Sequence, residues 1–424
     1  MISCSHKLLT VTLCFLVSAS GLSAATAAVP ETSEARTALS EVIFAPVGQA
    51  ALIRQKTVHQ NESRDSVFFQ SSTQSDSLYF IFPPPGVRDA STARAGGYII
   101  KRSLKDGKFQ WLKIFVQNDE GSYARLTPMG ANPAEGRTKM DIYVDGELFQ
   151  QGVTIAQPFE RLLTAPFAAI VAQTEGLVDW SLVLPPQRTS EDAGVEKIVL
   201  TLRSRLKGLR DAEDGAMGSD GKFVFIESGK PQADGGFNCS GFAKFVVDGF
   251  YAPLMGRLTD ITALKQRNLD ARGNRWSGAL ETVKDPYFGL DWSRNLAREL
   301  SAARTKGSLP SSEFADVRSV ERFEYIEDVG YPMEYLREVL YILARRNQGY
   351  MYLGSLNREA ADGSPVRQHH HLAVFFPYVD SKGVSRIVVM ERNLETSVAS
   401  LKNRFPKDSV HLVRISVEGD FYLP

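Results

Sequence analysis

The chain has 424 residues, of which 43% are hydrophobic and 23% charged, enough to bury a core in each of two domains. Lysine plus arginine (49) equals aspartate plus glutamate (49), so no overall field draws in a polyanion, and a nucleic-acid partner is not expected.

The N-terminus reads as an export signal, residues 1–28. His6 and Lys7 precede the apolar run Leu8 to Val17, and small residues end in Ala25-Thr26-Ala27-Ala28. The run is shorter than the roughly 20 residues a spanning helix needs, and no later window replaces it. The expectation is an exported chain, periplasmic or extracellular, with no integral membrane span once the signal is removed. Cys14 follows Leu13 inside the apolar run, a poor context for lipidation. Cys4 and Cys14 leave with the signal, so Cys239 stands alone and no intramolecular disulfide is expected. A solitary thiol in an oxidising compartment is either a buried, inert side chain or a reactive one.

Residues 29–185 read as a β-rich N-terminal domain. Strand patterns run over Ser77 to Phe82, Gly97 to Lys101, Phe109 to Val116 and Met140 to Val144, with a tight hairpin over Val144 to Leu148, as in a sandwich or barrel. His59 is isolated, no chemistry is visible, and a binding or spacer module is the default. A polar stretch, 186–192, leads into 186–424. There Ile198, Leu202, Leu206 and Leu209 recur at helical spacing within Val195 to Leu209. Further helices are expected over Asp291 to Ala303 and Pro332 to Arg346, with Pro332 in the first turn. Strands follow over Tyr350 to Leu353, His371 to Tyr378, Arg386 to Glu391 and Val410 to Val417, with a hairpin loop at Asp380 to Gly383.

The chemistry concentrates at Gly235-Gly236-Phe237-Asn238-Cys239-Ser240-Gly241-Phe242. A glycine-rich approach followed by apolar residues at helical spacing puts Cys239 at a helix start, where unpaired N–H groups and the positive dipole end favour a thiolate. Gly235, Gly236 and Gly241 leave room for a substrate backbone, and the Cys239 N–H is available to an oxyanion. Such a nucleophile needs a base and a group to orient it. His369-His370-His371 open a strand, and simple alternation puts His369 and His371 on one face and His370 on the other. Adjacent strand residues diverge, which disfavours a metal, and no metal or cofactor is expected.

The segment Phe237 to Phe242 resembles the Asp-Cys-Ser-Gly nucleophile motif of the NlpC family of papain-like cell-wall cysteine peptidases, and His371-Leu372-Ala373-Val374-Phe375 resembles its histidine strand. The resemblance covers roughly 190–424. It implies an α+β fold in which a helix-borne cysteine packs on an antiparallel sheet and cleaves amide bonds of peptidoglycan stem peptides. In that family the third polar residue lies diagonally across the following strand. With a turn near Ser381 and Lys382, His371 falls across from about Arg392, which nominates Glu391 first and Asn393 second.

The site expected is therefore Cys239 as nucleophile, His371 as proton shuttle and Glu391 or Asn393 as orienter. Asn238, Ser240 and Gly236 are nominated to meet peptidoglycan or its peptide fragments. Asn238 stands where the family usually has aspartate, and only Phe223 or Phe225 matches its upstream aromatic. The interval from Cys239 to His371 holds a helical insertion, about 251–348, readable as a lid or specificity wall and carrying Trp276 and Trp292. Two alternatives stand beside this reading: a papain-like hydrolase of a lipid ester or protein amide, and a non-catalytic envelope-binding protein.

Overall fold

The computed structural model describes residues 29–424 apart from 89–92, 131–134, 274, 280, 282–284 and 362–365. The export signal expected over 1–28 lies outside the described residues. The chain is mixed α and β with antiparallel sheets, and it divides into two compact units at 185/186, the start of the polar stretch.

The first unit is an antiparallel meander of eight strands in sequence order. These are β1 (Gln55–His59), β2 (Ser66–Gln74), β3 (Ser77–Phe82), β4 (Tyr98–Ser103), β5 (Phe109–Phe115), β6 (Tyr123–Met129), β7 (Arg137–Val144) and β8 (Glu147–Ile155). Alternation selects the core: in β3 Leu78, Phe80 and Phe82 are buried while Tyr79 and Ile81 are half-buried on the other face. Asp145 and Gly146, both at positive φ, turn β7 into β8 as a tight hairpin requires. Short helices flank the sheet in sequence, before β1 and after β8, in addition to the strands that the sequence predicts. One of them, α1 (Ser33–Ala38), sends the buried Arg36 over the Tyr98 ring at 3.8 Å and into the Leu163 carbonyl at 2.7 Å.

The second unit holds a six-stranded antiparallel sheet in the order β11-β16-β12-β13-β14-β15. Its strands are β11 (Tyr331–Pro332), β12 (Tyr350–Glu359), β13 (Arg367–Val379), β14 (Ser385–Glu391), β15 (Leu394–Thr396) and β16 (Ser409–Ser416). A two-stranded ribbon, β9 (Ala216–Met217) with β10 (Phe223–Val224), precedes helix α3 (Cys239–Met255). Helix α2 (Ser190–Leu206) starts five residues before the sequence pattern does, because Thr189 and Asp192 form a capping box. Pro332 does not open a helix. It sits in the short edge strand β11, where a missing N–H is tolerated, and α5 (Leu336–Arg346) begins after one further turn.

One hydrophobic cluster sets the site's frame. Phe242, Phe245, Val246 and Phe250 of α3 (Cys239–Met255) pack with Trp292, Leu296 and Leu300 of α4 (Phe288–Thr305) and with Leu353, Leu372, Val374, Met390 and Val413 of the sheet. The insertion's main helix, α4, therefore belongs to the core and is not a lid. Its Trp292 is fully buried, whereas Trp276 is exposed.

Candidate active site

Cys239 is the first residue of α3. Asn238 is its N-cap, with Oδ1 accepting the Gly241 N–H at 2.8 Å. Approach to the helix is fixed by backbone pairing with a preceding segment. Phe237 donates to the Arg210 carbonyl (2.9 Å), Ala212 donates to that of Phe237 (3.0 Å), and Asn238 donates to that of Gly215 (3.1 Å).

The room made by the glycines is filled by the chain itself. A Cβ on Gly241 would lie 2.0 Å from the Gly215 carbonyl oxygen, one on Gly236 would lie 2.8 Å from Cβ of Ala212, and one on Gly235 would lie 2.9 Å from the Phe223 ring. Gly236 and Gly241 let the helix start press against 211–216, and Gly235 lets it press on the Phe223 ring, so the space a side chain would take is used by the chain itself. Ser240 is buried, and its carbonyl accepts the Trp292 indole N–H at 3.0 Å. Asn238, Ser240 and Gly236 thus build the nucleophile's mounting.

His371, on β13, reaches Glu391, at the end of β14, through Nε2 at 2.5 Å from Oε2. That leaves Nδ1 as the nitrogen for the thiol. The other Glu391 oxygen takes the Arg404 guanidinium from the end of α6 (Val398–Arg404), and the next residue, Phe405, lays its ring 5.7 Å from that of His371. Asn393 does not reach the histidine: its amide donates to the Leu209 carbonyl at 3.2 Å, while Arg392 holds both Asp211 oxygens at 2.9 and 3.1 Å. The turn after β14 is thereby fastened to the strip that also braces the cysteine. Arg404, Phe405 and the Arg392 clamp had no signal in the sequence, since each acts only through a contact made by folding.

Burial alone would push the Cys239 thiol up. The hydrogen bond and charge of His371, the Leu372 N–H and the charge of Arg392 outweigh it, so the thiol lies below its ordinary value. Burial would push His371 down, yet hydrogen bonds to Cys239 and Glu391 and their negative charges raise it to about 9. Glu391 stays ionised: burial raises it, and His371 and Arg404 lower it by more. Both shifts favour a thiolate–imidazolium pair over the neutral thiol and imidazole. Among the described residues the Cys239 N–H has no acceptor, as expected for the first turn of a helix, so it is free to meet an oxyanion. A cleft of about 530 Å³, lined by Leu209, Arg210, Phe223, Gly235 and Phe237, opens beside this approach.

The other two histidines part company. A bulge between Leu356 and Asn357 pairs His371 with the first and His369 with the second, so His369 and His371 face opposite sides of the sheet. This corrects the simple alternation. His369 is buried between the Ser355 hydroxyl (2.8 Å) and the Asp328 carbonyl (3.1 Å), and its burial, with positive neighbours, keeps it neutral. His370 pairs with Asp408 at 2.6 Å. The three rings share no ligand point. Glu281, Asp285 and Asp291 bring carboxylate oxygens within 4.8 Å of one another, but Arg272 is already bonded to Glu281 at 2.5 Å and to Asp291 at 2.7 Å, supplying the positive charge there.

No helix among the described residues is long and apolar enough to cross a membrane. No curated protein and no solved structure matches this chain. A family model described as Domain of unknown function (DUF8515) matches residues 25–182, which places the match on the first unit and leaves Cys239, His371 and Glu391 outside it.

Proposed function

We propose that the second unit is a papain-like cysteine hydrolase that cleaves amide bonds, with peptidoglycan stem peptides as the favoured substrate and an exported location as its setting. The observation that carries the reading is the connected set Cys239, His371, Glu391 and Arg404. It combines a thiol made more acidic at a helix N-terminus, an imidazole held by a buried carboxylate and biased towards its cation, and a guanidinium that keeps the carboxylate charged.

In this mechanism the Cys239 sulfur attacks the amide carbonyl carbon and the electron pair moves to oxygen, where the Cys239 N–H receives it. The His371 proton goes to the leaving nitrogen as the C–N bond breaks, giving an acyl-thioester. A water, deprotonated by the now neutral His371, then attacks that carbonyl and releases the acid and the thiolate. Glu391 keeps the ring in place and stabilises its cation.

The choice of stem peptides rests on the likeness of the Cys239 and His371 motifs to the NlpC family. Muropeptide mass spectrometry after incubation with purified peptidoglycan tests it. Wild type is expected to release amide-cleaved fragments and Cys239→Ala none. Fragment release by Cys239→Ala at the wild-type rate would overturn the mechanism, and cleavage of acyl esters without cleavage of muropeptides would overturn the substrate.

A further inference from the structure

The outward face of the first unit's sheet has a composition unlike that of a passive spacer. Buried residues alternate with half-buried ones along β3 to β7, and the half-buried set is made largely of aromatic rings and cations. Cross-strand register places Tyr79 beside Lys101 and Lys101 beside Trp111, while Lys113 lies beside Arg125 and Tyr123 beside Tyr143. Tyr123 and Tyr143 stack with centroids 4.7 Å apart. Lys113 caps one side of that stack at 3.7 Å from the Tyr123 ring, and Arg125 lies 5.0 Å from Tyr143. Tyr79 meets Trp111 edge-on at 6.1 Å, with the Lys101 amine 5.7 Å from Tyr79.

The charges do not balance. Among the described residues, the half-buried cations Lys101, Lys113, Arg125 and Lys139 share this face of β3 to β7 with one carboxylate, Asp141, which Arg125 and Lys139 already approach at 3.4 and 3.3 Å. Four cations against one anion leave a net +3, on a chain whose total charge is zero. Among the described residues neither Lys101 nor Lys113 has a carboxylate within ion-pair distance; they lean on rings instead. Like charges directly opposite each other, as Lys113 and Arg125 are, cost stability in a sheet. A purely structural face would set glutamate or aspartate at one of those positions.

We infer that this face binds a carboxylate-bearing glycan strand. The half-buried rings offer flat surfaces to the C–H faces of sugars, and Lys101, Lys113 and Arg125 between them meet acidic substituents. Three net charges suit a polymer with a carboxylate every sugar or two better than a polyphosphate with one charge per nucleotide, which would draw on a larger cationic surface.

The test uses the full chain carrying Cys239→Ala, so binding is read without turnover and stands or falls apart from the proposed hydrolysis. Co-sedimentation is measured with purified peptidoglycan sacculi, with sacculi whose carboxylates have been amidated, and with chitin as a neutral glycan. Binding to native sacculi is expected, weakening about tenfold when Lys101→Gln and Lys113→Gln are added, when Trp111→Ala is added, and on amidated sacculi or chitin. Amidation leaves the protein untouched, so a variant that folds poorly does not blur the outcome. Equal binding to native and amidated sacculi, wild-type binding by the double lysine variant, or tighter binding to poly(dT) or to anionic vesicles would each overturn the inference.

Discussion

Replacing Glu391 by glutamine separates the orienting role of this residue from its charge. The carboxamide oxygen still accepts from His371 Nε2, so the ring keeps its place while the negative charge is lost. His371 stands at about 9 against an ordinary 6.5, a bias of roughly 3 kcal/mol towards the imidazolium. With side-chain exposures of 11% for His371 and 4% for Glu391, solvent screens the pair little. Cys239 and, after it, Glu391 both raise His371 against the effect of burial, so losing the Glu391 charge is expected to remove part of that bias, on the order of one pH unit. Turnover follows the thiolate–imidazolium form, which is lost at high pH as His371 gives up its proton, whereas iodoacetamide alkylation follows the thiolate alone and persists there. In Glu391→Gln the alkaline limb is expected to move down by about one unit. The acid limb moves up, because a weaker imidazolium supports the thiolate less. Arg404→Ala supplies the opposite sign: it leaves Glu391 unneutralised, so His371 holds its proton more tightly and the alkaline limb moves up slightly. The assay is a pH–rate profile paired with ultraviolet titration of the thiolate. An alkaline limb in Glu391→Gln that coincides with wild type would refute the assignment of Glu391.

Substitutions at three further positions test the mounting and the core. Asn238→Ala removes the cap and is expected to cost about 1 kcal/mol in thermal melts. Asn238→Asp keeps the cap but sets a carboxylate beside the thiolate, so alkylation at about pH 6 should slow; an unchanged rate would exclude that coupling. Gly241→Ala drives a Cβ to 2.0 Å from the Gly215 carbonyl oxygen, a rigid backbone atom, and should lower stability by about 2 to 3 kcal/mol together with turnover. Asp316 is raised by burial but lowered by more through His411 and Arg294, ending at about 2. A depressed carboxylate stabilises the fold above its unfolded value near 4, and this is lost as pH falls through about 2, so the wild-type melting temperature should drop across that window. Asp316→Asn should lose about 3 kcal/mol at neutral pH, since the fully buried Arg294 keeps only part of its carboxylate support, and it should show a shallower acid decline; a neutral-pH melt equal to wild type would refute this.

What the sequence made legible was local. Ser77 to Phe82 announces β3 residue for residue, because one side chain in two must face a core, and the apolar spacing after Gly241 announces a helix with Cys239 at its start. Glu391 could be nominated because the NlpC resemblance implies a third polar residue on the next strand, and the hairpin loop at Asp380 to Gly383 limits which residues of β14 come near His371. Long-range pairings left no such mark. Nothing near Gly236 or Gly241 says that 211–216 will fill the space before them. Arg404 lies 13 residues after Glu391 and reaches it only because α6 turns back across the strand end. The helical insertion looked detachable because its length exceeds what a compact site needs. Yet Trp292, Leu296 and Leu300 sit at helical spacing, and that stripe has to be covered by something.

The three consecutive histidines show how much a single extra residue decides. In a regular strand His369 and His371 would share a face and His370 would oppose them. The bulge opposite Leu356 and Asn357 lets one residue of β13 go unpaired, so the ring two positions before His371 turns into the core. There His369 is held neutral between Ser355 and the Asp328 carbonyl, and it places no second positive charge beside the imidazolium. His370, tied to Asp408, packs its ring 5.4 Å from Phe405, the ring that also lies against His371. A regular ladder would have set two imidazoles side by side to compete for the thiol and for Glu391. The bulge leaves one, and the charge that lowers Cys239 is thereby assigned to His371.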